Sequence, residues 1–211
     1  VCNVFYVNSE HDRVIALVRA VQPDAAVFVE VDRLWDEALR ALEADLPHAS
    51  SAGGRRHGLL VLSRWPIRQE ETLTLAPGGD PFVHARLDVN GRPLELIGVH
   101  AAWPLGPANS RIRNRQLANL ATLAASMPKP LLIAGDLNAS PYSPHVADLL
   151  AGGGLRSAAG RRWTPTWPTF FLPAGIQIDD VLVSGDVAVK RFGTGPAVGS
   201  DHLPLIADLV F

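Results

Sequence analysis

The stretch Leu131-Leu-Ile-Ala-Gly-Asp136-Leu-Asn138 decides how this chain is read. Leu131 to Ala134 is a continuous apolar run with Pro128 and Pro130 just upstream, the pattern of a strand buried on both faces. Gly135 opens a polar loop that runs to Pro144, so Asp136 falls at a strand end. Before the strand, residues 109–127 carry Ile112, Leu117, Leu120 and Leu123 at helical spacing. Helix, buried strand and polar strand-end loop in that order mark an α/β protein, in which reactive side chains gather in the loops beyond strand ends.

The same grammar extends to both termini. Residues 1–7 read as a strand, and a Ser9-x-x-Asp12 capping pattern precedes helical spacing at Val14, Ile15, Leu17, Val18 and Val21. Residues 25–31 form a second apolar run that closes on Glu30 and Val31, followed by helical spacing over 32–46. A Gly/Arg/Ser-rich loop spans 50–57. Strands are expected at 58–64, 67–75 and 82–89, the last turning at Asn90-Gly91 into 94–100, because Asn-Gly between alternating segments is a strong hairpin signal. Residues 146–150 read as a short helix ended by glycines 152–154, and 177–183, 188–192 and 203–210 as closing strands. Hairpins mixed with helical crossovers predict two packed sheets with helices outside, in one domain over 1–211.

Composition narrows the function classes. The 211 residues are 47% hydrophobic and 19% charged with a mean hydropathy of +0.13, enough apolar material for a sizeable core. Nineteen Lys and Arg against 21 Asp and Glu leave a net charge of −2, which argues against a protein held to nucleic acid by bulk positive charge. Lys129 and Lys190 are the only lysines, so the cations are nearly all arginines, side chains suited equally to phosphate and to surface ion pairs. Cys2, the single cysteine, excludes an internal disulfide and a cysteine zinc cluster, and reads as a small core residue. No apolar run reaches the ~20 residues of a membrane span, and no signal-type segment opens the chain. It starts at Val1 in a strand without an initiator Met, so it is read as the soluble part of a longer chain, with no compartment assigned.

Polar residues recur at the strand ends: Asn3, Glu30, His100, Asp136 with Asn138, Asp179, and Ser200-Asp201-His202. Any one of them alone reads as a cap or a solvated turn residue. Together they form a hard, oxygen-rich set with two imidazoles and no thiolate, suited to Mg²⁺, Mn²⁺ or Ca²⁺ rather than to a structural zinc. Such a set supplies a metal anchor, a carboxylate to position water, imidazoles for proton transfer and an amide donor, the parts of metal-assisted hydrolysis.

These residues also carry a resemblance. Asn3, Val29-Glu30-Val31, Gly58-Leu-Leu-Val-Leu-Ser-Arg64, Gly98-Val-His100, Arg113 with Gln116, Gly135-Asp-Leu-Asn138, Ile178-Asp179 and Ser200-Asp-His202 occur in that order. In this the chain resembles the endonuclease/exonuclease/phosphatase superfamily, which includes DNase I-like nucleases, abasic-site endonucleases, inositol-polyphosphate 5-phosphatases and neutral sphingomyelinases. The likeness spans essentially the whole chain and implies a DNase I-like, four-layered α/β sandwich of two packed mixed β-sheets flanked by helices. It implies Glu30 as the principal Mg²⁺ ligand, with Asn3 and Asp201 supporting the metal or its waters. It places His202 beside the scissile phosphate, oriented by Asp179, and gives Asp136 the attacking water, Asn138 a phosphoryl oxygen and His100 the leaving group. Arg113 is expected to buttress the site and its substrate. One metal or two, and the identity of the general base, stay open. The run from Gly135 to Ser143 and Thr166-Trp167-Pro168 look most like a bacterial subgroup, many of whose members carry membrane segments upstream, so membrane association is expected only through such a segment.

Two positions depart from the family pattern. Asp180 follows Asp179 where many relatives have His or an aromatic, and strand alternation points it away from Asp179. Phe5 stands where some members place another acidic ligand, so a metal site relying on that ligand is not expected. Elsewhere, the glycines from Gly193 to Gly199 lack dinucleotide spacing, and no Gly-x-Ser-x-Gly occurs. Arg55, Arg56 and His57 read as a solvated loop, with phosphate contact as the lesser alternative. Trp103, Trp163 and Trp167 lie in Pro-rich loops, where stacking on a base, sugar or lipid group competes evenly with packing; Trp103 and Trp167 are the candidates for substrate contact. His11, His48, His84 and His145 show no ligand spacing. Retention of His100 favours a phosphodiester over a monoester, since a poor alkoxide leaving group needs proton assistance beyond what a metal alone supplies. A nuclease leads, a hydrolase of lipid or small-molecule phosphate esters is the alternative, and a non-catalytic phosphate-binding module comes third. No obligate protein partner is inferred.

Overall fold

Alternation along the strands sorts the apolar side chains between two layers of core. The structure, a computed structural model, describes residues 1–53 and 57–211, so any phosphate contact by Arg55 and Arg56 lies outside the described residues. Strands β1 (Cys2–Asn3), β2 (Ala25–Val31), β3 (His48–Ala52) and β4 (Gly58–Ser63) form a mixed sheet in the order β1-β2-β4-β3. On it, Ala26, Phe28, Leu60 and Leu62 turn toward helices α1 (His11–Val21) and α2 (Arg33–Leu39), where they bury Val14, Ile15, Val18, Trp35 and Leu39. Their neighbours Val27, Val29, Leu59 and Val61 belong to the core between the sheets.

The facing sheet is built from β5 (Ile67–Leu73), β6 (Phe82–Val89), β7 (Arg92–His100), β8 (Leu131–Asp136), β9 (Leu155–Ser157) and β10 (Asp179–Ser184), ordered β5-β6-β7-β8-β10-β9. Helix α3 (Gly106–Ser126) makes the crossover from β7 to its parallel neighbour β8, and α4 (Pro144–Gly153) packs beside it. Leu117, Leu120, Ala124, Val146 and Leu149 bury the apolar faces of these helices. The sheets approach closely at Gly98, where a Cβ would stand 3.2 Å from Val27 Cγ1 and 3.3 Å from Val61 Cγ2. An antiparallel pair, β11 (Ala188–Thr194) and β12 (Leu205–Val210), joins the edge of β1: Val1 N donates to Leu205 O at 3.0 Å and Leu205 N to Val1 O at 2.9 Å. Helices, sheet, sheet and helices make the expected four layers.

Local departures have local causes. β1 is two residues long rather than seven, because Phe5 adopts a left-handed φ of 57°. Ser9 does not cap α1; Asn8 shapes the approach instead, its Oδ1 accepting from Glu10 N at 3.0 Å and its Nδ2 bonding the carbonyls of Val4 and Val198. The helical spacing over 32–46 yields α2 and one 3₁₀ turn, Arg40–Leu42. β3 and β9 carry no strand signal in the sequence, since His48-Ala-Ser-Ser-Ala52 and Leu155-Arg-Ser157 are short and lack β-branched residues. The Asn90-Gly91 turn forms as expected, with both residues at positive φ, 54° and 82°.

Candidate active site

Strand register builds half of the site. β7, β8 and β10 are neighbours, and their pairing sets His100 opposite Asp136 and Asp136 opposite Asp179. Gly98 and Ala134 precede His100 and Asp136 by one period of the pleat, so this row points the way Gly98 does, into the gap between the sheets. Three polar side chains thus cap rows that are otherwise apolar, at the mouth of the inter-sheet core. Asp136 reaches its place through Gly135, whose φ is 146° and where a Cβ would lie 2.0 Å from Val99 O.

The facing sheet supplies Asn3 from β1 and Glu30 from β2. Pairing of β2 with β4 slips between Val29 and Val31, and Glu30 sits in the slip with a φ of 62°. A bulge of this kind takes a side chain out of the alternation and re-aims it. The Glu30 carboxylate accepts from Asn3 Nδ2 at 3.0 Å and from Tyr6 N at 3.5 Å. The segment before β12 adds Asp201 and His202, fastened when Ser200 Oγ donates to Asn3 O at 2.7 Å and accepts from His202 N at 3.0 Å.

The groups converge on His202. Its Nδ1 lies 2.8 Å from Asp179 Oδ2, while Nε2 faces Asp136 Oδ2 at 3.9 Å and Asp201 Oδ1 at 4.0 Å. Asn3 turns its amide hydrogens to Glu30 and to Asp136 Oδ2 (3.3 Å); its oxygen is taken by Phe5 N at 3.0 Å. As placed, Asn3 orients the carboxylates through its amide hydrogens. Asp136 Oδ1 accepts from Asn138 N at 2.7 Å, and Thr166 Oγ1 accepts from the backbone N–H groups of Ile178 and Asp179.

Burial and charge set the protonation states. Glu30, Asp136, Asp179 and Asp201 surround a single imidazole, and among the described residues none of these carboxylates pairs with Lys or Arg. Burial, and for Asp136 the neighbouring charge of Asp179, pushes the Glu30 and Asp136 carboxyls above their ordinary range. Burial works against a charged His202, but Asp179, Asp136 and Asp201 overcome it and raise its pKa to about 10. His100 goes the other way: burial, reinforced by His57 and His202, lowers it to about 3, so its ring is neutral.

Four carboxylates against one imidazolium leave a negative excess that suits a divalent cation. Among the described residues Asp179 Oδ1 and Asp201 Oδ1 are buried without a hydrogen-bond partner, and Asp136, Asp179 and His202 each offer an atom within 4.8 Å of the others. Since Asp179 already engages His202 Nδ1, the donors left over are chiefly carboxylate oxygens, which fits a hard cation.

The structure brings together Asn3, Glu30, His100, Asp136, Asn138, Asp179, Asp201 and His202. Two residues expected to contact substrate also make contacts within the protein. Trp167 donates its indole N–H to Asp201 Oδ2 at 3.0 Å, which makes it a positioning residue. Arg113 donates from Nη1 to Asn138 O and from Nε to Asn114 Oδ1, and so braces the loop after β8. One amide hydrogen of Asn138 is committed to Ala101 O at 2.8 Å, leaving the other available. Trp103 is exposed in the loop after His100. Sequence reasoning missed Thr166, whose only signal was its place in Thr166-Trp167-Pro168. A cavity of about 380 Å³, lined by Ala25, Val27, Leu94, Leu96 and Leu205 among others, shares no residue with this site.

Asp180 points away from Asp179, as alternation demands, and accepts from Ser157 Oγ at 2.9 Å and Val181 N at 2.8 Å. Burial raises its pKa to about 7, so between the ordinary carboxylate value and that point the fold holds a proton the unfolded chain releases. Stability from this group is therefore lost as pH rises through that window. Urea unfolding of Asp180→Asn should show a shallower loss toward alkaline pH than the unaltered chain, the difference reaching about 2–4 kcal/mol. Parallel pH dependence in the two proteins would contradict it.

A sequence comparison with curated proteins finds no match. Among solved structures, the fold is shared with D. rerio TDP2 complexed with a single-strand DNA product (TM-score 0.83, 15% identity, covering 99% of this chain and 96% of that one). It is shared with sphingomyelinase C from Streptomyces griseocarneus (TM-score 0.72, 22% identity, 97% and 96% covered). An endonuclease/exonuclease/phosphatase from Bacteroides vulgatus also matches (TM-score 0.78, 18% identity, 99% and 91% covered). At such identities the likeness is one of fold. The family model of the endonuclease/exonuclease/phosphatase family matches residues 2–202, nearly the whole length and every strand-end residue described above. On that match, the chain belongs to the endonuclease/exonuclease/phosphatase family, a family of phosphoester hydrolases.

Proposed function

We propose that this protein is a divalent-metal-dependent phosphodiesterase, with Mg²⁺ as the metal and Mn²⁺ or Ca²⁺ as substitutes. The observation that carries the reading is the imidazolium of His202 held at 2.8 Å by Asp179 amid carboxylates that, among the described residues, no Lys or Arg neutralises. Glu30 and Asp201 would hold the cation, with Asn3 keeping Glu30 in place by its amide hydrogens. When bound, the cation supplies Lewis-acid polarisation of the phosphoryl group.

The residues themselves divide the remaining work. Asp136, with its pKa raised, is the carboxylate suited to orient the attacking water and take its proton near neutral pH. His202 stays cationic and stabilises the charge that grows on the phosphoryl oxygens, with the free amide hydrogen of Asn138 as a second donor. Neutral His100 serves the leaving oxygen through a hydrogen bond, since a ring with a pKa of about 3 carries no proton to deliver at pH 7.

Supercoiled plasmid and a panel of lipid and small-molecule phosphodiesters, offered with Mg²⁺ and with Mn²⁺, test the reading. Turnover of at least one substrate should vanish in EDTA, return with added metal, and be lost in Asp201→Ala purified identically. Plasmid nicking would name a nuclease; cleavage confined to lipid or small diesters would name that class. No turnover anywhere, or equal turnover by the variant, would refute the assignment.

A further inference from the structure

Every exposed aromatic side chain among the described residues lies at one end of the molecule. These are Trp103, Tyr142, Trp163, Phe170 and Phe171, with Phe170 at 82% and Tyr142 at 79% exposure. They sit in the loops that follow β7 and β8 and in the segment that leads into β10, neighbouring strands whose ends at this pole carry His100, Asp136 and Asp179. The loops are not independent: the rings of Tyr142 and Trp163 approach to 5.8 Å, and Thr169 N donates to Asp201 O at 2.9 Å, tying the Phe170-Phe171 turn to the site.

Aromatic rings left in water at one pole mark a surface that meets something apolar. Charge says what. Residues 101–110, 137–144 and 163–178, which carry the aromatic rings, contain no Lys, Arg, Asp, Glu or His; among the described residues the cations nearest them in sequence, Arg111 and Arg161-Arg162, lie at the edges of these loops. A polyanion is gripped mainly by cations on its phosphates, and these loops offer none. Uncharged loops rich in Trp, Tyr, Phe and Pro instead match the interfacial zone of a bilayer, where rings sit among headgroups and polar tips stay wet.

We propose that the catalytic pole docks on a zwitterionic phospholipid surface, with Phe170 and Phe171 as its leading anchors. The proposal rests on the phosphodiesterase reading and specifies the setting in which the site meets its substrate. A headgroup phosphate of such a surface would face the row of His100, Asp136 and Asp179 while the rings on either side enter the interface.

Sedimentation with phosphatidylcholine vesicles in EDTA, at low and at molar salt, tests it. The unaltered protein should partition onto vesicles and remain bound in molar salt, because apolar insertion is not screened. The double variant Phe170→Ser, Phe171→Ser should lose at least about tenfold in partitioning, as expected for withdrawing two large apolar side chains. Both positions are exposed and outside the catalytic set, so turnover of a soluble diester such as bis(p-nitrophenyl) phosphate in Mn²⁺ should be unchanged, which also reports folding. No partitioning, release by salt, or equal partitioning of the variant would overturn the proposal. Salt-sensitive binding of a single-stranded oligonucleotide that the variant loses would overturn it in favour of nucleic acid. Vesicle binding without hydrolysis of any diester would instead defeat the phosphodiesterase reading and leave the docking surface standing.

Discussion

Replacing Asp179 by Asn is expected to lower turnover by about 10³–10⁴-fold with little change in stability, the scale seen when the carboxylate behind a catalytic imidazole is made neutral. The Asp179 oxygen at 2.8 Å does two things for His202. It fixes the ring through Nδ1, leaving Nε2 directed at Asp136 and Asp201, and it contributes the largest share of the upward pull on the imidazole pKa. Asn removes the charge and lets the ring turn. The sign follows from the cation: His202 is protonated below its folded pKa, and losing Asp179 moves that pKa down. The alkaline limit of the residual activity should therefore shift to lower pH, which a pH–rate profile of the variant would reveal. An unshifted profile with near-normal turnover would show that the pair is structural only. Rescue by Glu is not expected, because β10 pairs with β8 at this residue and the longer side chain would press on Asp136.

Gly135→Ala should be the most damaging single methyl in the protein, costing about 3–5 kcal/mol, the range for severe backbone conflict and overpacking. A Cβ there would fall 2.0 Å from Val99 O, and the contact is backbone, so no side chain can swing aside. The φ of 146° adds a conformation that alanine avoids. Relief requires β8 to separate from β7 at the register pair Val99–Gly135, next to His100–Asp136. Chemical denaturation should show the loss of stability, and any folded fraction should turn over poorly because Asp136 has moved. A variant of unchanged midpoint would contradict the geometry. Gly98→Ala makes a softer comparison, since its Cβ would meet the Val27 and Val61 methyls at 3.2–3.3 Å and the sheets can yield slightly.

Much of this was legible in the chain. Apolar runs such as Leu131 to Ala134 announce buried strands because only a strand with both faces covered tolerates unbroken hydrophobicity. Asn90-Gly91 declares its turn because both positions need positive φ. The candidate site residues could be named because strand ends are where a packed α/β core gives way to water, and polar residues there stand out against the apolar runs they close.

What the sequence could not say depends on partners distant along the chain. That Glu30 leaves the β2 alternation follows from a slip against β4, and pairing register is a property of two strands together. Trp167 is a candidate substrate contact by residue type and Arg113 by its place in the family pattern, and only the folded loops set the Trp167 indole on Asp201 and an Arg113 N–H on Asn138 O. Protonation states were equally hidden: His100 and His202 are both buried, and one is neutral while the other is cationic because only the second is hydrogen-bonded to Asp179 and faces Asp136 and Asp201 as well. The chain by itself determined which chemical groups are present and that they fall at strand ends, since pattern and turn chemistry are local. Tertiary structure alone decided which of them touch and which carry charge, because distance and burial arise only when the two sheets close on each other.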